Sequence, residues 1–377
     1  MPHMKGLIVN LSACMKNKNT IIIISLLGLF AIGYLVSVFR NPQTEEPSTP
    51  LAYFANEGSL SGVFGKDFTA KIQIPKDIIS LEVRLDDQVL IKQSSLSREF
   101  VLKIKNADLS IGAHRLSIKA RSNAKEETED ERILYILSDV VPQIWTLSII
   151  NQYPHNDSSF TQGLAFSENK LFEGTGDPNN LGATMVGEVE LQTGKILRKK
   201  SVAAPVFGEG ITLVGEKIYQ ITWQNSTCYV YDKSNLELLN QFTYTGEGWG
   251  LTYDGKHLIM SDGSEVLTFR DPKTFKEIRK IEAYTHEGGI TKLNELEYIN
   301  GLIYANVWTS NIIAVIEPTT GRVIATIDAT EAVQKGKGSG EVLNGIAYNE
   351  QSNKTYITGK FWPNLFEVKF LQPKSAQ

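Results

Sequence analysis

Five residues stand at one place in a repeated pattern and have the types needed for chemistry: Gln162, Glu209, Trp249, Asn294 and Asn344. Each directly precedes an anchor, namely Gly163, Gly210, Gly250, Glu295 and Gly345, and the anchors lie 40 to 50 residues apart. Thirteen residues beyond the anchors comes a second set, Gly176, Trp223, Gly263 and Trp308, completed by Lys360 in the fifth copy, whose turn is two residues longer. A carboxylate can take and return a proton, and a lysine or asparagine can donate to an oxyanion. One tryptophan alone would be read as core packing. Three tryptophans, a glutamate, a lysine and two asparagines at two equivalent positions are too polar a choice for a core, and they predict a functional mouth.

The elements that position them are legible as repeats. The stretch FGEGITLVGEKIYQITW, residues 207–223, has relatives beginning at Thr161, Gly248, Leu293 and Leu343. Each alternates apolar and polar residues with period two around a short turn, such as Asp254-Gly255 or Asn300-Gly301, whose residues favour positive φ in a tight hairpin. Some ten residues on, VGEVELQTGKILRK, CYVYDKSNLELLNQF, VLTFRDPKTFKEIRKI and IAVIEPTTGRVIATI read as a second hairpin. Two hairpins and this period predict a four-stranded blade. The fifth copy is followed only by NLFEVKFLQ, whereas Trp145 to His155 is a strand without a partner. Pairing those ends closes a ring, so residues 142–373 are expected to form a five-bladed β-propeller, in which equivalent positions face one axis.

The remainder of the 377 residues is organised around that ring. A net charge of −4 and an ordinary globular composition leave no footprint for nucleic acid. Lys16 and Lys18 precede nineteen mostly apolar residues, Ile21 to Phe39, long enough to span a bilayer. Met15 followed by KNKNT reads as the natural start of such a segment. No small-x-small cleavage site follows it, which favours an uncleaved signal anchor over residues 1–40 with a cytoplasmic N-terminus. Everything beyond is then expected on the extracytoplasmic, periplasmic side of a single-pass protein. Residues 41–50, NPQTEEPSTP, read as an extended linker. Residues 51–140 carry short alternating strands with frequent turns, the pattern of a small immunoglobulin-like β-sandwich. The fold class is therefore all-β after the membrane helix. Cys14 and Cys228 form no disulfide framework, and the five histidines have no metal-ligand spacing.

YPHNDSSFTQGL, FEGTG, FGEGIT, ITW, GWGLTYDG, MSDGS, LNELEY, NVW, LNGIAY and TGKFWP occur in order across residues 145–370. This series resembles the signature of plant-type glutaminyl cyclases, which have bacterial members. The resemblance implies a five-bladed propeller that converts the N-terminal glutamine of peptides and proteins to pyroglutamate, releases ammonia and needs no catalytic metal. It also implies a pocket lined by Phe160, Gln162, Glu209, Trp223, Trp249, Asn294, Trp308 and Lys360. Within that implication Glu209 is the general acid and base, and Lys360 and Asn294 stabilise the oxyanion. Phe160, Gln162 and the three tryptophans hold the substrate.

Two other readings fit the same rings. Glu209, Asn294 and Asn344, with Asp262 nearby, are oxygen ligands suited to calcium in a lactonase-like hydrolase, and the tryptophans alone would suit a peptide-binding propeller without turnover. Lys360 disfavours both, because a cation suits an oxyanion better than a metal ring. The pattern still leaves room for a structural calcium on the axis. Glu173 competes with Glu209 as the carboxylate but sits three residues before the ring position, which favours a supporting role. The oligomeric state is not encoded in any motif.

Overall fold

The computed structural model describes residues 49–94 and 98–373. The expected membrane segment, residues 21–39, and most of the linker lie outside the described residues. Among those described, no helix is long and apolar enough to cross a membrane. Nearly all regular structure is strand, and the helix Thr330–Gly336 is a short exception.

From residue 143 onward the strands form a ring of antiparallel sheets. Three four-stranded sheets follow in chain order, spanning Thr161–Ser167 to Lys195–Ser201, Gly208–Val214 to Leu238–Thr243, and Leu251–Tyr253 to Glu277–Glu282. In each, every strand pairs with the next because the hairpin turns are short. The terminal strands pair with each other: Gln143–Pro154 runs antiparallel to Asn364–Leu371, with Pro154 opposite Asn364 and Thr146 opposite Leu371. The repeat spacing did not reveal a second pairing. Residues 143–146 of the same strand run parallel to residues 325–328, which joins the fourth and fifth copies into one eight-stranded sheet. Its twelve residues are long enough for both tasks.

The first strands of the five copies touch in order around the ring, and the fifth touches the first. This close approach explains the anchors. A Cβ on Gly163 would run into the backbone nitrogen of Ile211, and one on Gly250 into the carbonyl of Asn294. Only glycine lets neighbouring backbones come so near. Glu295 replaces glycine in the fourth copy, and its carboxylate accepts from the backbone of Leu164 at 3.2 Å and of Ile346 at 2.8 Å. One side chain thereby ties the first, fourth and fifth inner strands together.

The register slips in four of the inner strands, between Thr161 and Gly163, Gly208 and Ile211, Leu293 and Leu296, and Leu343 and Ile346. Each slip is a bulge at the residue that precedes the anchor or at the anchor itself, and bulges re-aim side chains.

Residues 51–137 form two sheets over a core of their own. Three strands, Tyr53–Phe54, Phe68–Gln73 and Glu99–Ile104, make one sheet. The other has five, Leu60–Val63, Ser80–Leu85, Gln88–Gln93, Gly112–Arg121 and Glu127–Leu137. The alternation in Phe68–Gln73 buries Phe68, Ala70 and Ile72 against Leu81, Leu102 and Ile118. From Leu51 onward the chain is one compact unit. Arg322 grips Asp139 with two bonds of 2.8 and 3.1 Å and lies over the Phe64 ring, while Glu282 accepts from the Ala113 backbone at 3.0 Å.

Candidate active site

The bulges deliver four polar side chains to a buried end of the ring. Gln162, Glu209, Asn294 and Asn344 are all buried there, and Trp249 is half-buried. Asn344 Nδ2 donates to Gln162 Oε1 at 3.1 Å and to the Thr161 carbonyl at 3.0 Å, and Gln162 Nε2 donates to Glu209 Oε1 at 3.0 Å. This chain of bonds fixes which way the Gln162 amide points and leaves Glu209 Oε2 without a partner among the described residues. Burial pushes the Glu209 carboxyl well above the usual carboxylate range; the Lys360 charge opposes that and the Glu247 charge adds to it.

Lys360 follows the strand Lys354–Gly359 and is itself buried. Its ammonium stands 4.6 Å from the centre of the Phe160 ring and makes no ion pair among the described residues. Burial lowers its pKa, and the charges of Glu209 and Glu341 oppose the shift. Three further polar atoms, Asn294 Oδ1, Asn344 Oδ1 and Asn306 Nδ2, are buried with no protein partner. Orphaned groups of this kind are costly in a structural core, and their concentration at one end of the axis marks a place for a polar ligand.

Around these groups runs an arc of aromatic rings. Trp308 packs edge-on to Trp249 at 5.5 Å, Trp223 to Phe207 at 5.7 Å, Phe207 to Phe160 at 5.9 Å, and Phe160 meets Phe361 at 5.1 Å. Trp223 and Trp308 are each 37% exposed, so the arc is a rim. The two glycines of the second set make room for it: a Cβ on Gly176 would enter the Phe207 ring, and one on Gly263 the Trp249 ring. All eight residues expected to line a pocket thus lie on this polar floor or its aromatic wall. Sequence reasoning missed Phe207, Phe361, Asn306 and Glu247. Phe207 and Glu247 each stand two residues before a ring residue, a spacing that could have exposed them.

Glu173 is turned away into a buried pair. Its carboxylate accepts from Thr161 Oγ1 at 2.7 Å and Ser159 Oγ at 3.3 Å and lies 3.1 Å from His155 Nε2. His155 Nδ1 lies 2.7 Å from the Trp362 carbonyl, so both ring nitrogens face acceptors, an arrangement that favours the protonated imidazole. Burial disfavours that charge, but Glu173 and the carbonyl outweigh it and the pKa is raised. With Phe361 N donating to the Ser159 carbonyl at 2.8 Å, the pair fastens the segment carrying Phe160 to the turn carrying Lys360.

Among the described residues no group of three or more His, Cys, Asp or Glu is arranged to hold a metal ion, and Asp262 is occupied with its own turn at Ser264. A cavity of about 550 Å³ also opens at the hairpin-turn ends of the inner strands, where Glu297 lies. Glu297 is satisfied there by the Tyr348 backbone at 2.7 Å and Thr252 Oγ1 at 3.4 Å, and no cation lines the cavity. The combination of a buried carboxyl with a raised pKa, a buried lysine and orphaned amides belongs to the Glu209 end.

The family described as glutamine cyclotransferase matches residues 116–370. The chain belongs to the glutamine cyclotransferase family. The match begins inside the last hairpin of the sandwich, upstream of residue 145 where the sequence motifs start. A glutaminyl-peptide cyclotransferase of Arabidopsis thaliana is 37% identical over 240 residues, covering 62% of this chain and 74% of that relative. The crystal structure of Myxococcus xanthus glutaminyl cyclase superposes with a TM-score of 0.58 at 34% identity, covering 62% of this cyclotransferase and 100% of the other chain.

Proposed function

We propose that the Glu209 end of the ring is the catalytic centre of this enzyme and that Glu209 moves the protons. The protein is a glutaminyl-peptide cyclotransferase, closing the N-terminal glutamine of a peptide to pyroglutamate with loss of ammonia. An α-amine with a pKa of about 7.7 to 8.0 is largely protonated at neutral pH and must lose a proton before it attacks. That first proton goes to solvent; the nitrogen lone pair then adds to the side-chain amide carbon, and Glu209 takes a second proton from the nitrogen as the new bond forms. Lys360 and Asn294 donate to the oxygen that becomes negative. Glu209 then returns the proton to the departing nitrogen, the carbon–nitrogen bond breaks, and ammonia leaves.

The observation that carries this reading is a buried carboxyl with a raised pKa, steadied by Gln162 on one oxygen and opposed by a buried lysine that no carboxylate neutralises by contact. A raised pKa matches the base to its amine. The aromatic rim holds the glutamine side chain folded onto its own amine, and proximity supplies much of the rate because the ring closure is intramolecular. None of these steps routes through a metal. A Gln-initiated dipeptide should give ammonia and the pyroglutamyl product at the same rate with and without excess EDTA. Loss of activity to EDTA, restored by calcium, would contradict the metal-free mechanism.

The same reading extends to the architecture. The cyclic contact of five inner strands supports a five-bladed propeller, with the sandwich as an immunoglobulin-like spacer. The apolar run at residues 21–39 supports an anchor that holds the enzyme outside the membrane, where exported proteins with N-terminal glutamine would be its substrates. Recovery of the full chain in the soluble fraction after cell lysis would contradict the anchor.

A further inference from the structure

Glu247 lies on the connection between the strands Leu238–Thr243 and Leu251–Tyr253, outside both repeated rings. Its Oε2 accepts from the indole nitrogens of two tryptophans at once, Trp223 at 2.7 Å and Trp249 at 3.0 Å, and its Oε1 accepts from Gln224 Nε2 at 3.2 Å. Those tryptophans come from different sheets, and their rings head the two halves of the aromatic arc, one leading to Phe207 and the other to Trp308. No described ring contact joins the halves; besides the carboxylate, the link near them is a backbone bond from Gly248 N to the Trp223 carbonyl at 3.1 Å. The Glu247 charge also pushes the Glu209 carboxyl up.

We propose that Glu247 is a positioning residue for the cyclisation: it locks Trp223 and Trp249 into one wall, and it holds a fixed negative charge beside the Glu209 base. The second part follows from where Glu247 sits: Gly210 N, next in the chain to Glu209, donates to the Trp249 carbonyl at 2.9 Å, and the indole of Trp249 donates to Glu247 at 3.0 Å. Lys360 at the end of its strand favours the ionised carboxylate and Glu247 disfavours it, while Tyr244, on the same connection as Glu247, is a neutral phenol whose pKa burial raises further. Three hydrogen bonds keep Glu247 itself ionised: burial would raise its pKa, yet the bonds from Trp249, Gln224 and Trp223 lower it. A fixed negative charge at the rim also draws in the ammonium form of the substrate terminus.

The inference rests on Glu209 as the base, and three variants of the full chain separate the two claims. Glu247→Ala leaves the indoles without an acceptor and should raise KM for a Gln-initiated dipeptide about tenfold, the worth of roughly one charge-assisted bond, with a shift in tryptophan emission and cooperative melting retained. Glu247→Gln keeps an oxygen for both indoles and so should restore the wild-type emission. It removes the charge, however, and should move the acid limb of kcat/KM to lower pH, a change that a purely structural residue would not cause. An unchanged KM in folded Glu247→Ala overturns the wall, and an unmoved acid limb in Glu247→Gln overturns the electrostatic role. Glu209→Gln is measured beside them: turnover retained there overturns the base and with it the charge half, whereas the KM of Glu247→Ala judges the wall independently.

Discussion

Lys360 and Glu209 are both buried with no ion pair between them, and the charge of each favours the charged form of the other. Lys360→Met should lower kcat/KM by about 10² to 10³, the usual loss of one oxyanion donor. It should also move the acid limb to higher pH, because the Lys360 charge favours ionised Glu209. In the wild type, the Lys360 pKa lies below the ordinary lysine range, so activity should fall on the alkaline side earlier than an exposed lysine would allow. A pH–rate profile of both proteins checks all three. At this scale the sequence was informative because repeat position equals radial position. Gln162, Glu209, Asn294 and Lys360 are found together because each occupies an equivalent place. Glu247 and Asn306 lie off those places, two residues before Trp249 and Trp308, and Phe361 follows Lys360; the repeat alone does not say what they touch, and their contacts do.

The inner strands do more than hold site residues, since the fourth, Leu293–Ile299, carries two further carboxylates, the buried Glu295 and the half-buried Glu297. Burial holds Glu297 up to about 8, against backbone and Thr252 hydrogen bonds that pull it down, and Glu295 is raised as well by burial and the nearness of Glu297. Between the ordinary value of 4.5 and about 8, folded Glu297 keeps a proton that the unfolded chain has lost. Stability should therefore decline as pH rises through that window. Glu297→Gln can keep the Tyr348 bond and donate to Thr252, so its Tm should decline less between pH 5 and pH 8 than that of the wild type. Equal slopes for the two proteins would remove Glu297 from the effect. Hairpins were readable from alternation and turn residues, but the bulges were not. A bulge leaves no composition signal beyond its glycine, and here the glycines were already explained by backbone contact at Gly163 and Gly250. His155 was equally silent, because its partner Glu173 and the Trp362 carbonyl meet it only through ring closure.

Closure of the ring depends on one strand, Gln143–Pro154, which covers the edges of residues 325–328 and 364–371 together. A chain starting at residue 139 keeps this strand and the Asp139 partner of Arg322 and should still turn over a dipeptide. One starting at residue 160 leaves two sheet edges unpaired and should fail to fold, as circular dichroism and melting would report. Ring closure could be inferred from an orphan strand at each end, whereas the parallel pairing that fuses two sheets could not, since nothing in a strand's own sequence names its second neighbour. The docking of the sandwich through Arg322, Asp139, Glu282 and Phe64 was likewise invisible, because the partners lie far apart in the chain, 183 positions for Arg322 and Asp139 and more for Arg322 and Phe64. The whole molecule converges on a single claim, that five inner strands assemble around a carboxylate that shuttles one proton. Ammonia release from a Gln-initiated dipeptide by Glu209→Gln tests it most directly. A fall of about 10² to 10⁴ in kcat with unchanged melting is the predicted result, and near-wild-type turnover in a folded Glu209→Gln protein would contradict it.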